Sequence, residues 1–198
     1  MEKVLFVKNM CCNRCIATVR SILIEIGLQF LEIKIGEIRL ENEIPEDRIT
    51  RLKALLADQG FSLVDRPAEK IVVQIQALLC DYVRAIIDNP GKMSKLSTYI
   101  EGKLHRTYYH LSKTFSTETG MTIEKYVLAL KMEKAKELIL EDTFSFSSIG
   151  WQLGYTNSQT FSTQFKKVTG FTPSAFKANP NPVRKAWDAL SPQDFKQK

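Results

Sequence analysis

The sequence predicts an α+β chain in three pieces. Residues 1–66 form a small βαββαβ sheet domain, 67–91 hold a linker helix, 92–178 are all-α, and 179–198 are a mobile tail. Three observations predict this. Up to residue 66 the apolar residues switch between periods of about 2 and about 3.6, and beyond it they keep the helical period. Pro67 opens the middle piece and Asn89-Pro90-Gly91 closes it. The third piece repeats itself: Phe115-Ser116-Thr117-Glu118-Thr119-Gly120-Met121-Thr122 returns fifty positions on as Phe165-Lys166-Lys167-Val168-Thr169-Gly170-Phe171-Thr172.

In the first piece, Val4-Leu5-Phe6-Val7 is a short strand, and Ile16, Val19, Ile22, Leu23 and Ile26 mark one face of a helix ended by Gly27. Residues 30–35 and 37–40 read as a hairpin about Gly36. Ile49, Leu52, Leu55 and Leu56 make a second helix ended by Gly60, and 61–64 a last strand. Both helices fall on one face of the sheet, a ferredoxin-like arrangement.

The middle helix places Ile71, Ile75, Leu78 and Tyr82 at four-three spacing. Two heptads do not settle a coiled coil. The stripe serves either packing on neighbouring segments or a homodimer seam along 68–88. Cys80 in this helix reads as a buried thiol.

In the third piece Leu111 returns as Phe161 and Tyr126 as Phe176 at the offset of fifty, while Ile100 returns as Ile149 and Leu104 as Leu153 at forty-nine. The added residue therefore lies in a turn between two helices. Each copy reads helix, short turn, helix, Thr-Gly stop. In the second copy Gly154 makes the turn, Thr156 is the expected cap, and Phe161 and Phe165 face inward. Gln159, Thr160, Ser162, Thr163, Lys166 and Lys167 then face outward. In the first copy the turn is His105-Arg106, Thr107 the cap, and Leu111 and Phe115 the inner side. Tyr108, Tyr109, Ser112 and Lys113 are the outward residues. Between the copies, 123–141 holds neither Gly nor Pro and carries two apolar stripes, one on each flank. At about 1.5 Å per residue that helix is roughly 30 Å long, close to the ~34 Å between successive turns of one DNA groove. Helices bearing Gln, Ser, Thr and Lys outward offer hydrogen bonds to base edges and charge to phosphates. A single such position is equally an ordinary solvated surface; the duplicated spacing points to double-stranded DNA as the partner.

Charge agrees. Residues 1–66 carry ten Lys/Arg and ten Asp/Glu, whereas 67–198 carry eighteen and twelve, so the whole net charge of +6 lies with the repeat. No apolar run approaches a membrane span or a signal segment, so a cytoplasmic protein without a membrane role is expected. No Ser/His/Asp set, paired carboxylates or phosphate-binding glycine loop suggests an enzyme or an organic cofactor.

Residues 94–178 resemble the DNA-binding domain of AraC/XylS-type transcriptional regulators. The resemblance is most specific over 149–155, Ile-Gly-Trp-Gln-Leu-Gly-Tyr, then Phe161, Phe165-Lys166-Lys167, Thr169-Gly170 and Thr172-Pro173. It implies base contacts from Tyr109, Ser112 and Lys113 in the first unit and from Gln159, Ser162 and Thr163 in the second. Arg106 and Thr114 depart from the family's usual apolar residues.

Met10-Cys11-Cys12-Asn13-Arg14-Cys15 lies between the first strand and first helix. Two sulfurs two residues apart at a helix start converge on one point, which suits a soft ion or thiol redox chemistry. In a reducing compartment three cysteines within five residues read better as such a site than as a disulfide framework. Residues 1–66 resemble the heavy-metal-associated domain, whose motif is G-M-x-C-x-x-C; Met10, Cys12 and Cys15 match it and Asn9 replaces the glycine. By that resemblance Cys12 and Cys15 ligate one soft metal ion, Cu(I) or zinc, and Met10 supports the loop. Cys11 is a third thiolate that would favour a trigonal Cu(I) site or a zinc- or cadmium-like site with a fourth ligand from elsewhere. The predicted function is a metal-responsive transcriptional regulator; a thiol-redox switch and a metal-free protein-docking module stay open for the front domain.

Overall fold

A computed structural model describes residues 3–10 and 12–179. The chain divides into two compact units, 1–77 and 78–198.

The first unit runs β1 (Lys3–Lys8), α1 (Asn13–Glu25), β2 (Phe30–Lys34), β3 (Glu37–Leu40), α2 (Glu46–Asp58) and β4 (Ser62–Val64). Its four strands lie in the order β2-β3-β1-β4, and every neighbouring pair is antiparallel. Register places Leu5 opposite Ile38 and Ile33 opposite Ile38 on its other side. Alternation along the strands sends these side chains to one face, where Val7, Ile38 and Leu40 meet Val19, Leu23, Leu52 and Leu56, each at most 1% exposed. Gly36 joins β2 to β3 at φ +79, and a Cβ there would stand 2.6 Å from Val73 Cγ1, so both the turn and the close approach demand glycine.

Helix α3 (Pro67–Asp88) occupies the stretch read as a linker helix over 67–91. Its first half belongs to the first unit: Val73 covers Gly36, Gln74 Nε2 donates to Glu37 Oε1 at 3.3 Å, and Lys70 Nζ sits 5.7 Å from the Phe6 ring. Its second half belongs to the second unit, where the Tyr82 hydroxyl donates to Ser94 O at 3.0 Å and its ring tilts against Tyr99. The buried band is wider than the predicted stripe. Ile75, Leu79 and Val83 are fully buried with Val72, Val73, Cys80 and Ile86 beside them, while Ile71 and Leu78 stay half-buried. A helix buried around most of its circumference belongs to a core. Packing within the chain, one of the two readings of the stripe, buries most of this face.

The second unit continues with α4 (Leu96–Leu104), α5 (Tyr108–Thr119), α6 (Ile123–Glu141), α7 (Phe146–Gln152), α8 (Ser158–Thr169) and α9 (Pro173–Lys177). Helix α6 is its axle. Ile123, Val127, Leu130 and Leu138 are buried along one flank, and Met132, Ala135 and Ile139 along the other. The latter join Ile149, Leu153, Phe161, Phe165 and Phe176 in one core. Glu133, 4% exposed, is held in this helix by Lys136 at 2.5 Å. Among the described residues no helix is long and apolar enough to cross a membrane. The tail positions Trp187 and Leu190 and the third thiol, Cys11, lie outside the described residues.

Candidate nucleic-acid interface

The sequence repeat is also a repeat of hydrogen bonds. Thr119 and Thr169 each donate a hydroxyl hydrogen bond of 2.7 Å to the carbonyl four residues back, Phe115 and Phe165. Each hydroxyl oxygen also accepts from the amide two residues on, Met121 at 3.2 Å and Phe171 at 3.3 Å. Gly120 and Gly170 end their helices in the left-handed region, at φ +70 and +84. Thr122 and Thr172 then cap α6 and α9 by accepting from Lys125 N and Ala175 N. Phe115 meets Tyr126 edge-on at 5.5 Å, and Phe165 meets Phe176 edge-on at 5.7 Å. Even the turns correspond: His105 at φ +52 stands where the second copy has Gly154 at φ +82.

This scaffold fixes what α5 and α8 expose. On α8, Phe161 and Phe165 are fully buried, and Gln159, Thr160, Thr163, Lys166 and Lys167 are exposed, with Ser162 half-buried. On α5, Leu111 and Phe115 are fully buried, Tyr109 is 76% exposed, Lys113 is exposed and Ser112 half-buried. The predicted contact residues of each unit therefore share the open side of one helix. Ser112 Oγ donates to Tyr109 O at 3.3 Å.

Two predicted roles change, and Thr107, though at the N-cap of α5, makes no side-chain capping bond. Tyr108 is half-buried: its hydroxyl donates a short hydrogen bond to Glu124, and burial together with that bond raises its pKa well above the ordinary tyrosine value. Burial alone would lift the Glu124 carboxyl, but bonds from Tyr108 and Thr122 hold it below its usual range. Tyr108 thus fastens α5 to α6. The second correction concerns the cap of α8, which is Asn157; its Oδ1 accepts from Thr160 N at 2.7 Å and Thr160 Oγ1 at 2.9 Å. Thr156 sits one residue too early. Asn157→Ala should cost about 1 kcal/mol and Thr156→Ala a few tenths at most; urea midpoints that fall equally for both would place the cap elsewhere.

Sequence reasoning missed Lys131. Its ammonium reaches from α6 to Leu153 O at 2.9 Å and lies 5.6 Å from the Tyr155 ring, pinning the turn that launches α8. Burial lowers the Lys131 pKa and pushes the Tyr155 phenol up to about 12. A lysine mid-helix, with good helix formers around it, carries no sequence mark of such a role.

In the first unit of the chain, Cys12 stands at the N-cap of α1 and its Sγ lies 3.6 Å from Cys15 Sγ, both half-buried. Met10 is 5% exposed. Asn9 adopts φ +73 and its Nδ2 donates to Gly60 O at 2.8 Å, so the loop needs the left-handed backbone that glycine supplies most cheaply and asparagine next. Among the described residues no three His, Cys, Asp or Glu side chains cluster as a metal site.

A family model described as a helix-turn-helix domain matches residues 102–179. The xylose operon regulatory protein of Escherichia coli is 37% identical over 68 residues, 34% of this chain and 17% of that protein. An uncharacterized HTH-type transcriptional regulator of Bacillus subtilis, YtdP, is 27% identical over 158 residues, 77% of this chain and 20% of its own length. The bifunctional transcriptional activator/DNA repair enzyme AdaA of Bacillus subtilis is 32% identical over 73 residues, 37% of this chain and 35% of that protein. The chain spans well under half the length of these curated relatives. Among solved structures, a transcriptional regulator from Chromobacterium violaceum, described by its AraC-type DNA-binding domain, is 23% identical with a TM-score of 0.44, covering 52% of this chain and 92% of that one. Residues 102–179 of the chain thus carry a helix-turn-helix domain.

Proposed function

We propose that the protein is a sequence-specific transcriptional regulator that lays α5 and α8 into successive major grooves and answers to a soft metal ion at Cys12 and Cys15. One observation carries the DNA reading: two helix-turn-helix units share the hydrogen bonds of their Thr-Gly stops and following caps, and α6 between them is 19 residues or roughly 28 Å long, close to one groove turn. Tyr109, Ser112 and Lys113 read bases from α5. Gln159, Ser162 and Thr163 read them from α8, and Lys166 and Lys167 grip phosphates.

Supporting the metal reading, the βαββαβ order and the strand order β2-β3-β1-β4 suit a ferredoxin-like metal-binding frame. The donors fit a soft ion. Two sulfurs 3.6 Å apart, each about 2.3 Å from one ion, subtend roughly 100°, a bent pair that leaves room for a further ligand such as Cys11. When bound, the ion supplies charge and a crosslink; the chain's own part is to present two sulfurs from one helix start with Met10 packed beneath. The same 3.6 Å separation favours a second reading, closure of a Cys12–Cys15 disulfide as a redox switch.

The test uses the full chain and its preferred duplex, selected from a random pool. Gln159→Ala and Lys113→Ala should each lose about 1–3 kcal/mol on that duplex and much less on mixed sequence. Equal losses on both would mean that these side chains do not read bases.

A further inference from the structure

Helix α3 contributes contacts to both compact units without a break. After Pro67 it holds neither glycine nor proline, so nothing in its sequence interrupts the hydrogen-bonded ladder down to Asp88.

Its first half bears on the turn that neighbours the cysteine loop. Gly36 O accepts from Val7 N at 2.9 Å, and Val7 is fully buried near the end of β1, five residues before Cys12. Val73 Cγ1 and Ala77 Cβ lie 2.6 and 3.9 Å from where a Cβ on Gly36 would stand, so α3 rests directly on that turn. A shift of β1 where it enters the cysteine loop is thus carried to Gly36 by a backbone hydrogen bond, and from Gly36 to α3 by close packing. Packed interiors have low compressibility and pass such a displacement on.

The second half of α3 bears on both helix-turn-helix units. Tyr82 donates to Ser94 O at 3.0 Å and packs on Tyr99 of α4, the first helix of the first unit. Ile86 Cγ2 lies 3.5 Å from where a Cβ on Gly154 would stand, at the turn that launches α8. Ile87 packs against the core that holds Phe161 and Phe165. One helix half therefore touches the support of each reading helix.

We infer that α3 is the relay of this chain: the state of the Cys12–Cys15 loop reaches α5 and α8 through Gly36, Val73 and the unbroken helix to Tyr82 and Ile86. The inference rests on the reading of the front domain as a metal sensor joined to a DNA-binding unit. Coupling, not proximity, decides it.

The affinity of the full chain for its selected duplex is measured with and without Zn(II) under reducing conditions, and the ratio should be about 5–150 in the wild type. Gly-Ser-Gly-Ser inserted between Ala77 and Leu78 breaks the helix and leaves the contacts of each half in place. That variant should bind Zn(II) and duplex singly, with the ratio reduced to within about twofold of 1. Val73→Ala, which removes the methyl groups against Gly36, should reduce the ratio to less than half. Leu52→Ala, a truncation as deep in the core but on α2, should leave it at the wild-type value. A second readout needs no metal: duplex binding should slow exchange of the Val7 amide severalfold in the wild type and not in the insertion variant. If Zn(II) shifts DNA affinity and the insertion leaves that shift intact, or if Leu52→Ala abolishes it as fully as Val73→Ala, the relay is overturned and the sensor reading stands. If Zn(II) shifts nothing in the wild type, the sensor reading falls and the Val7 amide decides the relay. Slowing that vanishes in the insertion variant then upholds it, and an exchange rate indifferent to duplex overturns it.

Discussion

Phe161→Ala should cost about 3–5 kcal/mol, the largest loss expected from any single truncation in the second unit. The ring is fully buried where α7, α8 and α6 meet, tilted against Tyr155 at 5.6 Å and Phe165 at 5.8 Å. Gly150 of α7 lies so close that a Cβ there would stand 3.0 Å from Phe161 Cβ. Helix α7 is therefore already in contact with the backbone side of Phe161 and cannot settle into the space the ring leaves. Lys131 and the cap at Asn157 fix the turn between the two helices, which further limits collapse. The hole stays open, and the cost follows its volume. Gly150→Ala probes the same contact from the other side and should cost about 1–3 kcal/mol by overpacking. Chemical denaturation of the full chain reads both. A loss under about 1 kcal/mol for Phe161→Ala would show that α7 and α8 close over the gap and that the α7–α8 packing is soft.

The core of that unit was legible because a duplicated pattern averages out local accident. Phe115 and Phe165, Leu111 and Phe161, Gly120 and Gly170 are each placed twice, and the structure buries or bends them as pairs. Helix α6 was legible end to end, from Ile123 to Glu141, because neither Gly nor Pro interrupts good helix formers between the Thr122 cap and Asp142. Where pairing failed, so did the sequence reading. Tyr108 corresponds to Ser158, so no second copy warned that its hydroxyl would turn inward to Glu124. Thr156 and Asn157 are both competent caps, and one residue of helix phase decides between them; periodicity does not resolve one residue.

The middle helix is buried more widely than its stripe alone indicates. A four-three stripe describes a helix buried on one side, and α3 is buried on more than one. Val72, Val73, Leu79, Cys80 and Val83 lie off the stripe but are as buried as the residues on it. Sequence gives an apolar residue's identity, not how many neighbours arrive from distant segments. In the front domain Asn9 stands where the resembled motif has glycine. Asn9 occupies a left-handed backbone position, and asparagine tolerates it with a side-chain bond to Gly60.

The metal reading makes the other large prediction. Under reducing conditions the full chain should bind one soft ion, and Cys12→Ser or Cys15→Ser should abolish binding, since neither sulfur alone makes a site. Affinity should fall as pH falls, because protons compete with the ion for the thiolates. Cys11→Ser discriminates between sites: little loss for Cu(I) marks a two-thiolate site, and a large loss with zinc marks Cys11 as the third ligand. Binding alone does not make a sensor. For metal to regulate, it must bind one arrangement of the chain better than another, and the difference must reappear as a change in DNA affinity. Coupling of this kind is typically about 1–3 kcal/mol, a factor of about 5–150 in the dissociation constant. Reciprocity supplies an independent check, since operator DNA must then change metal affinity by the same factor. Titrating metal with and without the selected duplex, in wild type and in Cys12→Ser, measures both sides of the cycle. A chain that binds the ion tightly while its DNA affinity stays unchanged is not a metal sensor, and the front domain is then better read as a docking module whose sulfurs serve another purpose.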